Sequence, residues 1–101
     1  MLPQYRQPTH PGKIIRYEFL EPLNLTQQQL ADAIGVTRVR INENILGKRS
    51  VTPDTAFRLA RFFNTTADFW MGLQTNYDMW KTLQSNKAAY AQIKSFNQKV
   101  A

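Results

Sequence analysis

Apolar residues recur at intervals of three and four along most of this chain, and capping and stop residues cut the pattern into short helices. Ile14, Ile15, Tyr17, Phe19 and Leu20 make a largely buried first helix, with Pro11 at its first position and His10 as its cap, closed by Pro22. Thr26 caps a second helix. Gln29 completes a capping box there, and Leu25 with Leu30 closes a hydrophobic staple around the same start. Leu30, Ala31 and Ile34 form its inward stripe, and Gly35 stops it where left-handed backbone is wanted. Val36 plugs the turn, Thr37 caps a third helix with Ile41 and Ile45 inward, and Gly47 ends it. Thr52-Pro53-Asp54 starts a fourth helix with a cap, a proline and an acid facing the helix dipole. Phe57, Ala60 and Phe63, with Leu59 beside them, are its expected apolar face, and Asn64 ends it. Thr66 caps a fifth helix carrying Asp68, Phe69, Trp70, Leu73 and Tyr77. After Asp78, the residues Trp80, Leu83, Tyr90, Ile93, Phe96 and Val100 keep helical spacing, but Ser85-Asn86 interrupts it. The spacing therefore predicts a separate amphipathic sixth helix over 87–99, which must pack on something to be stable. The expected layout is an irregular arm over 1–9, a domain over 10–80 with a central motif at 26–47, and a helical extension over 81–101.

Charge gives the central motif a meaning. The chain has 101 residues and a formal net charge of +6, so a polyanionic partner is expected, nucleic acid before a membrane surface. One basic cluster, Arg38, Arg40, Lys48 and Arg49, falls inside the motif; a second, Lys81, Lys87, Lys94 and Lys99, follows the last acid, Asp78. Two short capped helices joined by a glycine turn, the second starting with arginines, follow the helix-turn-helix plan for entering the major groove of double-stranded DNA. The expected DNA-contacting residues are Gln27, Thr37, Arg38, Val39, Arg40, Asn42, Glu43, Lys48 and Arg49. An arginine can donate two bonds to guanine, Val39 can touch a thymine methyl, and Glu43 can accept from cytosine or orient an arginine. Lys48, Arg49 and Gln27 suit phosphates, Gln27 equally a base edge. At 100° per residue Asn44 leans toward the core and Leu46 outward, so Asn44 should find a backbone partner or tilt to the boundary.

Other chemistry is sparse. There is no cysteine and a single histidine, His10, so no metal site, no cofactor and no nucleophile–base pair are expected, and the chain does not read as an enzyme. No segment reads as a membrane span or a signal peptide, consistent with a cytoplasmic protein. One such domain contacts only a short half-site, so a two-fold homodimer is expected, with Phe69, Trp70, Tyr77, Tyr90, Ile93 and Phe96 at its interface.

Several stretches sharpen this. His10-Pro11-Gly12, Phe19-Leu20-Glu21-Pro22-Leu23, Leu30-Ala31, Gly35-Val36-Thr37, Arg40-Ile41-Asn42-Glu43, Gly47-Lys48-Arg49, Thr52-Pro53, Ala56-Phe57-Arg58-Leu59-Ala60, Phe69-Trp70, Leu73-Gln74 and Tyr77-Asp78 together resemble the HigA family. These are helix-turn-helix antitoxins of bacterial toxin–antitoxin pairs, also called virulence-associated protein I or addiction-module antidotes, and the resemblance covers residues 10–80. It implies an all-α, five-helix fold like the lambda-type repressors, here followed by the amphipathic C-terminal helix. It also implies that the protein neutralises a RelE-like ribonuclease toxin and represses the shared operon as a dimer. The chain departs from the family pattern at Lys13, where an acid is usual, at Ala67, where a proline is usual, and in the order of Asn44-Ile45-Leu46. Two rival readings stand beside it: a toxin-less repressor of the same fold, and an interaction module that no longer reads DNA.

Overall fold

The computed structural model describes residues 7–96, so most of the N-terminal arm, and Lys99 and Val100 of the tail, lie outside the described residues. Five α-helices follow one another: α1 (Pro11–Ile14), α2 (Gln27–Ile34), α3 (Arg38–Ile45), α4 (Pro53–Phe63) and α5 (Ala67–Ala91). No strand occurs among the described residues. His10 caps α1, its Nδ1 accepting the Gly12 N–H at 2.9 Å. Thr26 and Gln29 form both halves of the expected capping box on α2. Gly35 then takes φ 76°, and Asn64 ends α4 at φ 62°.

The first helix is not uniform. After Ile14 it continues as a π-helical stretch, Ile15–Leu20, with the Glu21 N–H bonded to the Arg16 carbonyl five residues back. The five-residue spacing turns both Ile15 and Leu20 inward and leaves Tyr17 exposed, contrary to its expected burial. Phe57 also departs from the pattern. It is 68% exposed, while Thr55, Ala56, Leu59 and Ala60 supply the buried side of α4.

The largest correction concerns the C-terminal part. There is no separate sixth helix among the described residues: α5 runs through Ser85 and Asn86 without a break and ends at Ala91. Asn86 continues the helix because its Nδ2 bonds back to the Thr82 carbonyl at 3.0 Å, satisfying its own amide inside the ladder. Trp70, Gln74 and Leu83 are the buried residues of α5. The core joins Ile15, Leu20, Leu30, Ala31, Ile41, Val51, Ala56, Leu59 and Trp70, with Phe19 and Phe63 packed against Trp70 at ring separations of 5.3 and 6.3 Å. The 25-residue α5 makes the molecule long, 58 × 21 × 21 Å.

Candidate nucleic-acid interface

Helix α1 holds α3 by backbone contact. A Cβ on Gly12 would fall 2.0 Å from the Asn44 carbonyl oxygen and 2.8 Å from Ile45 Cα, so only glycine lets the helices approach this closely. The far end of α3 is fixed from inside. Asn44 is completely buried, and its Nδ2 donates to the carbonyls of Arg49 at 3.0 Å and Ser50 at 3.3 Å. The loop after α3 is thus tied to the helix it leaves. From the opposite side, buried Gln74 of α5 accepts the Val51 N–H at 2.8 Å and donates to Asp78 at 2.9 Å.

The start of α3 faces outward. Thr37 caps it by accepting the Arg40 N–H at 3.1 Å, which leaves Arg38 and Val39 exposed, Val39 by 64%. Asn42 and Glu43 are half-buried on the flank, and Lys48 and Leu46 are exposed past the helix end. Gln27, at the first position of α2, is half-buried, with an Oε1 that has no hydrogen-bond partner among the described residues.

The basic cluster is not four free cations. Arg40 donates through Nη2 to Asp54 Oδ2 at 3.0 Å and to the Thr55 hydroxyl. Asp54 Oδ2 also accepts from Arg58 Nε at 2.9 Å, and Arg58 Nη1 donates to the Ile34 carbonyl at 2.7 Å. One carboxylate therefore ties α3 to α4, and Arg58 carries the tie on to the end of α2. The Arg40 guanidinium, then that of Arg58, holds the Asp54 carboxyl below its ordinary pKa. Arg49 pairs with Glu43 at 2.7 Å, so Glu43 orients an arginine of its own chain. Arg38 and Lys48 have no carboxylate partner among the described residues.

Three positioning residues escaped the pattern. Asp54 reads in sequence as a dipole acid, and Arg58 enters there only within a stretch that carries the family resemblance. Gln74, four residues after Trp70 and on the same side of α5, offered the one usable signal: a polar residue on a buried face. The expected interface residues divide as well. Trp70 is fully buried in one chain, with Nε1 donating to Thr65 Oγ1 at 2.8 Å, and leaves no surface for a second subunit. Tyr77 is half-buried against His10 at 4.7 Å, and Tyr90 is half-buried. Phe69, Ile93 and Phe96 are exposed, and the last two lie beyond the end of α5.

A capped helix presented by its N-terminus, braced by a preceding helix across a glycine turn, defines a helix-turn-helix, the class that places one helix in a DNA groove. The helix-turn-helix family model matches residues 17–70. An uncharacterised helix-turn-helix transcriptional regulator of Escherichia coli K12, YbaQ, is 46% identical over 76 residues, 75% of this chain and 67% of the relative. Antitoxin HigA-1 of Vibrio cholerae is 35% identical over 77 residues, covering 76% of this chain and 72% of the relative. The antitoxin HigA of Pseudomonas aeruginosa, solved with the higBA promoter, superposes with a TM-score of 0.84 at 36% identity, over 88% of this chain and 98% of that one. The chain belongs to the HigA-type family of helix-turn-helix antitoxins.

Proposed function

We propose that this protein is a cytoplasmic, non-enzymatic antitoxin that represses its own operon as a homodimer and neutralises a RelE-like ribonuclease toxin. The observation that carries the DNA-binding part is the start of α3: Thr37, Arg38 and Val39 stand exposed at a helix N-terminus held by Gly12, Asn44 and Asp54. Arg38 reads a base edge, Val39 meets a thymine methyl, and Thr37 and Asn42 complete the groove contact. Lys48 and Gln27 take phosphates. Arg40 and Arg49 meet DNA while tethered to Asp54 and Glu43, so part of their charge is already offset and they contribute less than Arg38. Glu43 acts through Arg49. The dimer uses Phe69 and the exposed apolar tail, Ile93 and Phe96, with Tyr77 and Tyr90 at its margin. The relatives support the toxin partner by their names: the Vibrio cholerae protein is an antitoxin, and the Pseudomonas aeruginosa antitoxin was solved with promoter DNA.

Titration of the chain's own promoter against a scrambled duplex at several salt concentrations tests this reading. Arg38→Ala should weaken promoter binding by about 1–3 kcal/mol and flatten the preference for promoter over scrambled DNA. Lys48→Ala should weaken both duplexes alike and reduce the salt slope by about one unit. Equal binding by both variants and the wild type would move the DNA-facing surface elsewhere.

A further inference from the structure

The outer side of α4 carries a groove that the DNA-facing site does not use, lined by Asp54, Phe57, Arg58, Arg61 and Phe62 together with the end of α2. Phe57 is 68% exposed and Phe62 42%, although the domain buries Trp70 and Leu59 completely. Two neighbouring phenylalanines left in water therefore mark a contact surface and not a shortage of core. The order of the charges is informative. Asp54, Phe57, Arg58 and Arg61 recur at steps of three and four, so one exposed stripe of α4 begins with an acid and ends with a base. Its middle holds an aromatic ring beside a guanidinium. Asp54 keeps 59% of its side chain exposed and engages Arg40 and Arg58 through Oδ2, one of its two oxygens. Arg61 has no carboxylate partner among the described residues.

We propose that this face of α4 is covered by the same face of a second copy, in an antiparallel pair of α4 helices about a two-fold axis between Phe57 and Arg58. The proposal rests on the homodimer reading above and adds a joint between the two DNA-reading heads. In such a pair, residues equally far from the axis on its two sides meet. Asp54 then faces Arg61 of the other copy at both ends, and each Phe57 lies against Arg58 of the other copy, a ring on a cation. The stripe complements itself when reversed, as an isologous contact requires. Other occupants satisfy only part of it. The chain's own tail has no acidic side chain after Asp78, so it leaves Arg61 without a partner. DNA would bring phosphates against Asp54 and offers no apolar cover for the rings. The surface also continues past Ala60 to Ala67, at the start of the helix that carries Phe69. Its place in the fold suits a two-site reader. Half-sites lie about 34 Å apart, so two copies of α3 must be held at a fixed separation. Because Asp54 and Arg40 tie α4 to α3, a joint on α4 sets that separation over a short lever.

The test is sedimentation equilibrium of the full chain. Phe57→Ser and Arg61→Glu, both at exposed side chains, are each expected to weaken the dimer by at least about tenfold while leaving the helical circular-dichroism signal unchanged. Charge exchange checks the register. Asp54→Lys and Arg61→Glu chains should each dimerise poorly alone, because each sets like charges face to face. Mixed, they should associate at least about tenfold more tightly than either does with itself, because both facing pairs are then opposite in sign. The in-chain ties lost in Asp54→Lys are lost alone and in the mixture alike, so they cannot produce that recovery. Dimers of wild-type strength from both the Phe57→Ser and the Arg61→Glu chains overturn the α4 joint and leave the homodimer reading standing. A mixture no tighter than its components overturns the antiparallel register, and the proposal with it. A wild-type chain that stays monomeric at micromolar concentration, with and without promoter DNA, overturns both.

Discussion

Single residues set the position of the DNA-facing helix more than its apolar stripe does. Gly12→Ala would place a methyl group inside the Asn44 and Ile45 backbone. Because that neighbour is main chain, the substitution should cost about 3 kcal/mol or more, measured by urea denaturation. Asn44→Ala should cost about 1–3 kcal/mol by leaving the Arg49 and Ser50 carbonyls without their donor, and should weaken promoter binding beyond what the stability loss explains. His10 gives the fold a pH dependence. Burial lowers its pKa, Asp78 opposes that, and Lys81 and Lys13 reinforce it. The neutral ring is the one whose Nδ1 accepts the Gly12 N–H. The unfolded chain therefore takes up the proton first, so stability is full above the unfolded value of about 6.5 and falls as the pH drops from there through the lower folded value. His10→Asn keeps a capping acceptor and cannot titrate, so its stability should stay flatter between about pH 7 and 5.

At the scale of elements, the caps were legible and the interruptions were not. Thr26, Thr37, Thr52 and Thr66 each cap the helix they precede, because a hydroxyl three residues ahead of a free N–H is a local interaction that sequence alone specifies. The burial of Asn44 followed from its angle for the same reason. Tyr17 and Phe57 were misplaced because spacing gives a face but not what covers it. The π-helical turn shifts the face after Ile15, and no element lies over Phe57. Ser85-Asn86 looked like a break because both residues compete with the helix ladder, yet a single bond from Asn86 to Thr82 makes the competition harmless. Asn86→Ala should therefore keep the helical circular-dichroism signal and raise stability by no more than about 0.7 kcal/mol. Asn86→Pro should remove roughly the last turn and a half of α5. The ion pairs around Asp54 lay beyond reach for a different reason: Arg40 and Asp54 are 14 residues apart, and only the packing of α3 on α4 joins them.

The whole molecule is a rod with a helical head. Its radius of gyration is 17.5 Å, against about 13 Å for a compact chain of 100 residues, and the excess comes from the length of α5. X-ray scattering of the monomer should reproduce that elongation, and a dimer joined near the exposed ends of α5 should extend it. Truncation after Asp78 removes Tyr90, Ile93 and Phe96 together with the outer part of α5, while keeping Trp70 and Gln74. On the proposed tail-mediated dimer it should shift sedimentation toward monomer and weaken operator binding, with the preference for promoter over scrambled DNA unchanged. A truncated chain that stays dimeric and loses only salt-sensitive affinity would make the tail an electrostatic arm.

Gln74 has a further consequence for energetics. Its grip on Val51, together with the Asn44 bonds to Arg49 and Ser50, freezes the cationic loop before any DNA arrives. The conformational entropy of those backbone residues, about 1–2 kcal/mol each, is spent at folding and not at association. Promoter binding should then carry only the modest negative heat-capacity change of rigid docking, without the larger signature of a segment that orders on contact. Gln74→Ala, by loosening the loop that carries Lys48 and Arg49, should make that heat-capacity change more negative without substituting any proposed DNA-contacting residue.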